Sequence, residues 1–399
     1  MANRIAIYWH NGRSLGHTVR CMALGQALLT HRPENTVIGI TGSSRYYDLL
    51  PSGMDVLKLP SFLGYDEEGA IRTEAILSIT KKEFQHIREN LLASFMRDFR
   101  PHALVVDYNP QGKSGELLPA IVNSPTTKKV LGLRGILDSF AATNAEFFNP
   151  RMVSFIQEHF SAIHVYTDPQ IFSLEDYYHT PPEINRMIRY TGYVTRPTVA
   201  NQAEARAVLH LDPDARIIVV SFGGGQGTEQ LWAAVIAALT DIRHRFDAAY
   251  LVAGPYLEPP AYERIRTQVA AHPTWQWCRM LNPLQTWMKA SNLFIGAGGY
   301  NTLAEVVTTG TNALIIPRQL NEQEQAMHTA RLAELRIVRL TTMEAFLSQN
   351  ASVLLETCLA EPYPSLSFGP VATDGATQNA RLLESLLGST ANVPAATCL

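Results

Sequence analysis

The sequence predicts an α/β protein built as two doubly wound domains, and three observations carry that prediction. Short apolar runs alternate with longer amphipathic stretches from one end to the other, the pattern of parallel strands joined by crossover helices. The alternation restarts after a polar, small-residue segment, Thr191 to Ala205, which contains Pro197. At 399 residues the chain is also long enough to bury two substantial cores.

Taken in order, the first half offers strands near Arg4–Tyr8, Thr36–Ile40, Ala103–Asp107, Lys129–Leu133 and Ala162–Tyr166. Helices are expected over Thr18–Thr30, Thr73–Phe99 and Gly115–Val122. The second half repeats the scheme with strands Ile217–Phe222, Ala248–Ala253, Leu293–Ile295 and Ala313–Ile316. Helices near Glu229–Thr240, Tyr262–Ala271, Thr302–Thr309 and Glu324–Leu335 separate them. Apolar helix spacing returns over Gly375 to Leu387, and the tail from Gly388 to Leu399 is expected to be loose. The boundaries are therefore drawn as 1–195, 196–374 and 375–399, the architecture being two Rossmann-like domains facing one cleft.

Composition narrows the function. Hydrophobic residues at 46% and charged residues at 17% describe an ordinary globular chain. A net charge of -3 supplies no basic stripe for nucleic acid, and no polybasic run addresses an anionic membrane. No apolar run approaches the roughly 20 residues that span a bilayer, and the N-terminus enters a strand without a signal-peptide core. Cys21, Cys278, Cys358 and Cys398 are scattered without metal-ligand spacing, which reads as reduced structural thiols in a cytoplasmic protein. Oligomeric state is not written in the sequence.

The densest chemistry lies between Trp277 and Gln323. Leu293–Ile295 reads as a short buried strand, and Gly296, Gly298 and Gly299 let the backbone approach a ligand. Asn301 and Thr302 follow where a helix begins, so free N–H groups and the positive dipole end face a phosphate. Glu305 comes one turn later, placed to accept hydrogen bonds from a ribose diol. A second strand ending at Pro317 delivers Glu322 and Gln323. The order of parts is that of a nucleotide-sugar site.

This block resembles the donor motif of UDP-sugar glycosyltransferases of the GT-B fold, which runs from a Trp through GG-x-N-[ST]-x-x-E to a [DE]-Q pair. Trp277, Gly298, Gly299, Asn301, Thr302, Glu305, Glu322 and Gln323 carry the match. The resemblance implies Trp277 against the nucleobase with Met280 nearby, Glu305 on the ribose, and Glu322 and Gln323 on sugar hydroxyls. Ala297 stands where many members have a His. The resemblance further implies an N-terminal acceptor domain, a C-terminal donor domain and a terminal helix crossing back to the first domain.

Two glycine loops complete the set. Strand Ile217–Phe222 runs into Gly223, Gly224, Gly225, Gln226, Gly227 and Thr228 and then a helix, a sequence suited to an anion at a helix N-terminus, although glycines also serve tight turns. It is similar to the GGSQGA loop of the N-acetylglucosaminyltransferases that form lipid II. At the N-terminus, strand Arg4–Trp9 leads through Gly12 to Gly16 and His17, a pattern that resembles the His-bearing loop of inverting GT-B transferases. Its G-H-x-x-R portion also resembles a nucleotide-sugar hydrolase of the same fold. In both groups this His is a general base, on an acceptor hydroxyl or on water, and a histidine near its ordinary pKa is suited to that task. A bland role for His17, bonding the loop backbone, competes with it.

Asp107 at the end of its strand is the candidate to orient His17, as an Asp does in plant-type UDP-glycosyltransferases; it reads equally as a turn residue before Asn109-Pro110. Asp107 opens DYNPQGKSGELLP, which with GLRGILD resembles a group of predicted bacterial glycosyltransferases. Lys113, Glu116, Arg134 and Asp138 in these stretches are either acceptor-side or surface and capping residues. Asp212-Pro213-Asp214 spells D-x-D, but Pro213 makes it a turn, and His10 reads as packing. The expectation is an inverting transferase using a nucleotide-sugar co-substrate and a small-molecule or lipid-linked acceptor, with no metal and no resident cofactor. The alternatives are a nucleotide-sugar hydrolase, a 2-epimerase of the same fold and a non-catalytic binding subunit.

Overall fold

The apolar runs become two wholly parallel sheets. The structure is a computed structural model and describes residues 2–10, 16–43, 46–61, 77, 79–318, 323–348, 350–363 and 371–388. The chain divides into two compact units, one comprising Met1–Arg196 with the segment from Asp374 onward, the other Pro197–Thr373.

The first unit contains β1 (Arg4–Trp9), β2 (Thr36–Thr41), β3 (Met54–Lys58), β4 (Ala103–Asp107), β5 (Lys128–Leu133), β6 (Ala162–Val165) and β7 (Ile188–Tyr190). Their order in the seven-stranded sheet is β3-β2-β1-β4-β5-β6-β7. The central strands are buried along nearly their whole length, as strands covered by helices on both faces must be. Helix Lys81–Phe99 opens on a capping box in which Thr80 and Glu83 satisfy each other's backbone N–H. The sequence placed that helix from Thr73; residues 73–76 and 78 lie outside the described set, and regular helix begins at Lys81.

The second unit contains β8 (Ile217–Ser221), β9 (Ala248–Val252), β10 (Trp275–Cys278), β11 (Leu293–Gly296), β12 (Ala313–Ile315) and β13 (Arg339–Leu340), ordered β10-β9-β8-β11-β12-β13. Helix Glu229–Asp241 buries Leu231, Trp232, Val235 and Leu239 against this sheet. The sequence missed β3, β7, β10 and β13, and these are the outer strands of the two sheets.

The terminal helix Gly375–Gly388 packs in the first unit against helix Gly16–His31. Its Glu384 accepts hydrogen bonds from Asn3 Nδ2 at 2.8 Å, Arg32 Nη1 at 2.9 Å and Asn35 Nδ2 at 2.8 Å. Buried His164 meets Asn379 at 2.6 Å. Gly375 is backed by the Gly192 carbonyl, 2.2 Å from where a Cβ would stand.

In both sheets the strand order reverses beside the first strand of the unit, between β1 and β4 and between β8 and β11. Doubly wound sheets take their ligands at such reversals, beyond the carboxyl ends of the strands.

Candidate active site

In the first unit the reversal brings two distant stretches together. β1 and β4 pair in register with Tyr8 beside Val106, which sets Asp107 at the level of the chain leaving β1. Helix Gly16–His31 starts there, tied down by the Trp9 Nε1 bond to Thr18 Oγ1 at 3.1 Å. Its first turn places His17 Nδ1 2.5 Å from Asp107 Oδ2. One turn on, Arg20 grips the same carboxylate twice, Nε to Oδ1 at 2.9 Å and Nη2 to Oδ2 at 2.8 Å. Asp107 is fully buried, Arg20 is 2% exposed and His17 16%.

These contacts assign the tautomer. A carboxylate flanked by a guanidinium is acceptor-only, so the proton on His17 is on Nδ1 and donates to Asp107. Nε2 then carries the lone pair, the state a general base requires. Burial works to raise the Asp107 pKa, but Arg20 and His17 outweigh it and hold the carboxyl well below its usual range. Burial lowers the His17 pKa, Asp107 raises it, and Arg20 and Arg134 lower it, leaving it below its ordinary value. The imidazole is neutral near pH 7.

His10 packs, as its strand-end position suggested, but its packing partner is the His17 ring, with centroids 4.1 Å apart. Burial, then His17, then Lys113 push its pKa well down. Tyr108, in the left-handed region at φ 73°, presents its ring edge to His17 and takes the Arg134 guanidinium 4.9 Å above it. Of the other acceptor-side candidates, Lys113 is exposed, whereas Glu116 is buried in an ion pair with Arg88 at 2.7 Å and accepts from Tyr8 at 2.7 Å. Asp138 accepts the Ser139 N–H at a helix start. Glu116 is therefore structural.

In the second unit the two glycine segments flank the reversal, since Ser221 of β8 lies opposite Gly296 of β11. Gly223, Gly225 and Gly227 all have positive φ, and Thr228 Oγ1 bonds the Gly225 carbonyl at 2.8 Å to close the turn. A Cβ on Gly225 would stand 2.2 Å from the Ala253 carbonyl, while Gly223 and Gly227 border open space. Gly254, which the sequence reading passed over, braces the loop from the next turn, its Cβ position 2.3 Å from the Gly223 carbonyl. Tyr256 N bonds the Gly224 carbonyl at 2.8 Å. Gln226 is exposed, and Arg318 reaches its carbonyl at 3.4 Å. Asp212 accepts the Asp214 N–H at 2.9 Å, the turn expected of that D-x-D.

Helix Tyr300–Thr309 begins at Gly299, an N-cap residue with no side chain of its own to cap it. Gly298 leaves room for Thr329 on helix Glu324–Glu334, and Gly299 has open space where a Cβ would be. Asn301 and Thr302 are half-buried in the first turn and Glu305 is 6% exposed one turn in. Two further expectations concern this unit. Trp277 is half-buried against Trp232, edge to face at 4.8 Å, and against Tyr262 at 5.3 Å. Strand alternation puts Trp275 and Trp277 on one face, and that face packs on the core, with part of the Trp277 indole left exposed. Met280, just beyond β10, is half-buried. The [DE]-Q expectation is the second: Glu322 lies outside the described residues and Gln323 is exposed ahead of its helix. The next pair, Glu324 and Gln325, is 5% and 8% exposed in the first turn that faces Gly298. The repeated EQEQ thus sets a second such pair in the buried first turn.

Two doubly wound parallel sheets, each with its strand order reversing beside its first strand, are the architecture of GT-B glycosyltransferases, and known proteins agree. Residues 217–348 match the glycosyltransferase family 28 C-terminal domain. The chain is 23% identical over 334 residues to a UDP-N-acetylglucosamine--N-acetylmuramyl-(pentapeptide) pyrophosphoryl-undecaprenol N-acetylglucosamine transferase of Desulfitobacterium hafniense, covering 81% of this chain and 82% of that protein. The solved structure of Acinetobacter baumannii MurG superposes with a TM-score of 0.56 at 11% identity, over 97% of this chain and 99% of that one. A Neisseria meningitidis UDP-GlcNAc 2-epimerase bound to UDP-GlcNAc gives 0.61 at 11% identity, over 97% and 100%. The chain is a GT-B-fold glycosyltransferase related to the lipid II-forming enzymes. Among the described residues no helix is long and apolar enough to cross a membrane.

Proposed function

We propose that this enzyme moves a sugar from a UDP-sugar to an acceptor hydroxyl or amine with inversion, without a metal ion, and that His17 is its general base. The observation that carries the reading is the contact of His17 Nδ1 with the buried Asp107 carboxylate at 2.5 Å, which turns Nε2 into the acceptor. In this mechanism Nε2 takes the acceptor proton as the acceptor atom attacks the anomeric carbon. The C–O bond to the diphosphate breaks on the opposite face, so one displacement inverts the centre. The departing charge falls on backbone N–H groups of the Gly223–Thr228 turn and on the start of helix Tyr300–Thr309. Glu305 serves the ribose, and Glu324 with Gln325 serves the sugar hydroxyls. The activity of the Desulfitobacterium hafniense relative supports UDP as the nucleotide and a lipid-linked acceptor.

Nucleotide release from a panel of UDP-, dTDP-, GDP- and ADP-sugars, with and without an undecaprenyl-pyrophosphoryl acceptor, tests the reading. UDP release that requires the acceptor and His17 supports transfer. Fast His17-dependent release without any acceptor makes the enzyme a hydrolase, with water in the acceptor's place.

A further inference from the structure

His17 and Asp107 do not form an isolated pair. The Asp107 carboxylate is gripped at both oxygens by Arg20, and Arg20 Nη2 also lies 3.1 Å from His17 Nδ1. Arg20 is itself located from the other side. Its guanidinium lies 5.6 Å over the Tyr166 ring, and Tyr166 occupies the room that Gly132 leaves, its hydroxyl 1.8 Å from where a Cβ would be. Arg20 is one helical turn from His17 on the same helix, so one rigid element presents both groups to the end of β4.

We infer that Arg20 is the positioning residue of the base: its two-pronged bond fixes the Asp107 carboxylate in the one orientation that holds His17 with Nε2 free. A lone buried carboxylate is free to rotate and is costly to keep ionised, and a single-point donor would fix one oxygen only. The planar guanidinium fixes both, and Lys cannot reproduce that geometry. The clamp has an electrostatic consequence as well. The groups bearing on His17 are Asp107 from β4, Arg20 on its own helix, Arg134 after β5 and the neutral ring of His10 after β1, with Lys113 acting on His10. Of these only Asp107 raises the imidazole pKa, and Arg20 offsets it. Removing Arg20 leaves only burial and Arg134 against the carboxylate's pull, so His17 becomes a more easily protonated base that loses activity at neutral pH and recovers it in alkali.

This inference rests on the reading of His17 as the base, and its test separates the two. The full-length wild type, Arg20→Met, Arg20→Lys, Asp107→Asn and Arg20→Met/Asp107→Asn are compared by two readouts. The first is the tautomer and titration midpoint of His17, from NMR of imidazole-15N-labelled protein without ligand. The second is the pH profile of UDP release from UDP-N-acetylglucosamine. Arg20→Met is expected to raise the His17 midpoint, to mix its tautomers and to cut the rate about tenfold or more near pH 6.5, with partial recovery above pH ~8. Arg20→Lys is expected to keep the midpoint close to wild type yet lose the pure Nδ1–H tautomer. In the Asp107→Asn background the Arg20 substitution should leave the tautomer ratio unchanged, while the midpoint still rises through the loss of the guanidinium's own charge beside the ring. An unmoved His17 midpoint and tautomer in Arg20→Met, or in Arg20→Lys if the Met variant does not fold, overturns the inference, as does a rate loss equal at every pH. Full turnover by His17→Ala would instead sink the proposed function and leave the NMR result standing.

Discussion

His17 and Asp107 are 90 residues apart in the chain, and their side chains meet at 2.5 Å in the buried floor of the first unit. The first prediction concerns this pair. His17→Ala should lower turnover about 10²–10⁴-fold while leaving UDP affinity nearly intact, since it removes a proton acceptor and no diphosphate contact. Asp107→Asn should lower turnover with unchanged UDP binding too, because the amide no longer enforces the Nδ1–H tautomer. Steady-state kinetics alongside calorimetric UDP titration decide it; undiminished turnover removes either residue from the mechanism.

Glycines of the second unit should separate folding from binding. Gly225→Ala meets the Ala253 carbonyl at 2.2 Å with φ at 88°, and should cost about 1–3 kcal/mol of stability, read as a lowered Tm. Gly299→Ala has open space and an ordinary φ of -67°, so it should fold as wild type. Its UDP affinity should nevertheless fall, because the new methyl stands where the diphosphate approaches the helix start. Unaltered UDP affinity in Gly299→Ala would place the diphosphate elsewhere.

Burial ranks the polar candidates. Glu305→Ala should weaken UDP binding by roughly 1.5–3 kcal/mol through a lost charge-assisted hydrogen bond. Glu324→Ala and Gln325→Ala should each raise the KM for the UDP-sugar while sparing UDP affinity, and Gln323→Ala, at an exposed position, should do neither. A larger effect at Gln323 than at Gln325 would restore the first of the two EQ pairs to the sugar.

Acid should loosen the terminal helix before it unfolds the rest. Burial holds the His164 imidazole down to about 4, against its bond to Asn379, which raises it. The folded form therefore stays neutral while the unfolded chain takes up a proton below about 6.5, so stability is intact above that pH and falls between roughly 6.5 and 4. The loss reaches roughly 3 kcal/mol at most. Hydrogen exchange over Gly375–Gly388 should quicken across this window, and His164→Gln should flatten the dependence; a pH-independent exchange rate there would refute it.

Chelation should leave transfer unchanged if backbone amides and helix starts alone meet the departing diphosphate. An EDTA-treated enzyme whose rate falls and is restored by Mg²⁺ would assign that charge to a divalent ion.

The sequence by itself determined the central elements. β4 matched its expected bounds, and β1, β2, β5, β8, β11 and β12 came within a residue or so, because strands buried on both faces must be apolar throughout. The outer strands carried no such signature: β3 reads MDVLK and β7 reads IRY, each facing a neighbour on one side only. The Gly223–Thr228 turn was legible because positive φ at Gly223, Gly225 and Gly227 restricts residue type. What only the tertiary structure decided is which side chains share a site. Arg20 looks like any helix surface residue until β1 and β4 pair and turn it onto Asp107. The ring contacts of Trp277 with Trp232 and Tyr262 are likewise invisible in its own segment. Glu324 and Gln325 are distinguished from Gln323 only by burial. Local pattern encodes periodicity and backbone freedom, whereas partners far apart in sequence are set by sheet order and packing, which no single segment contains.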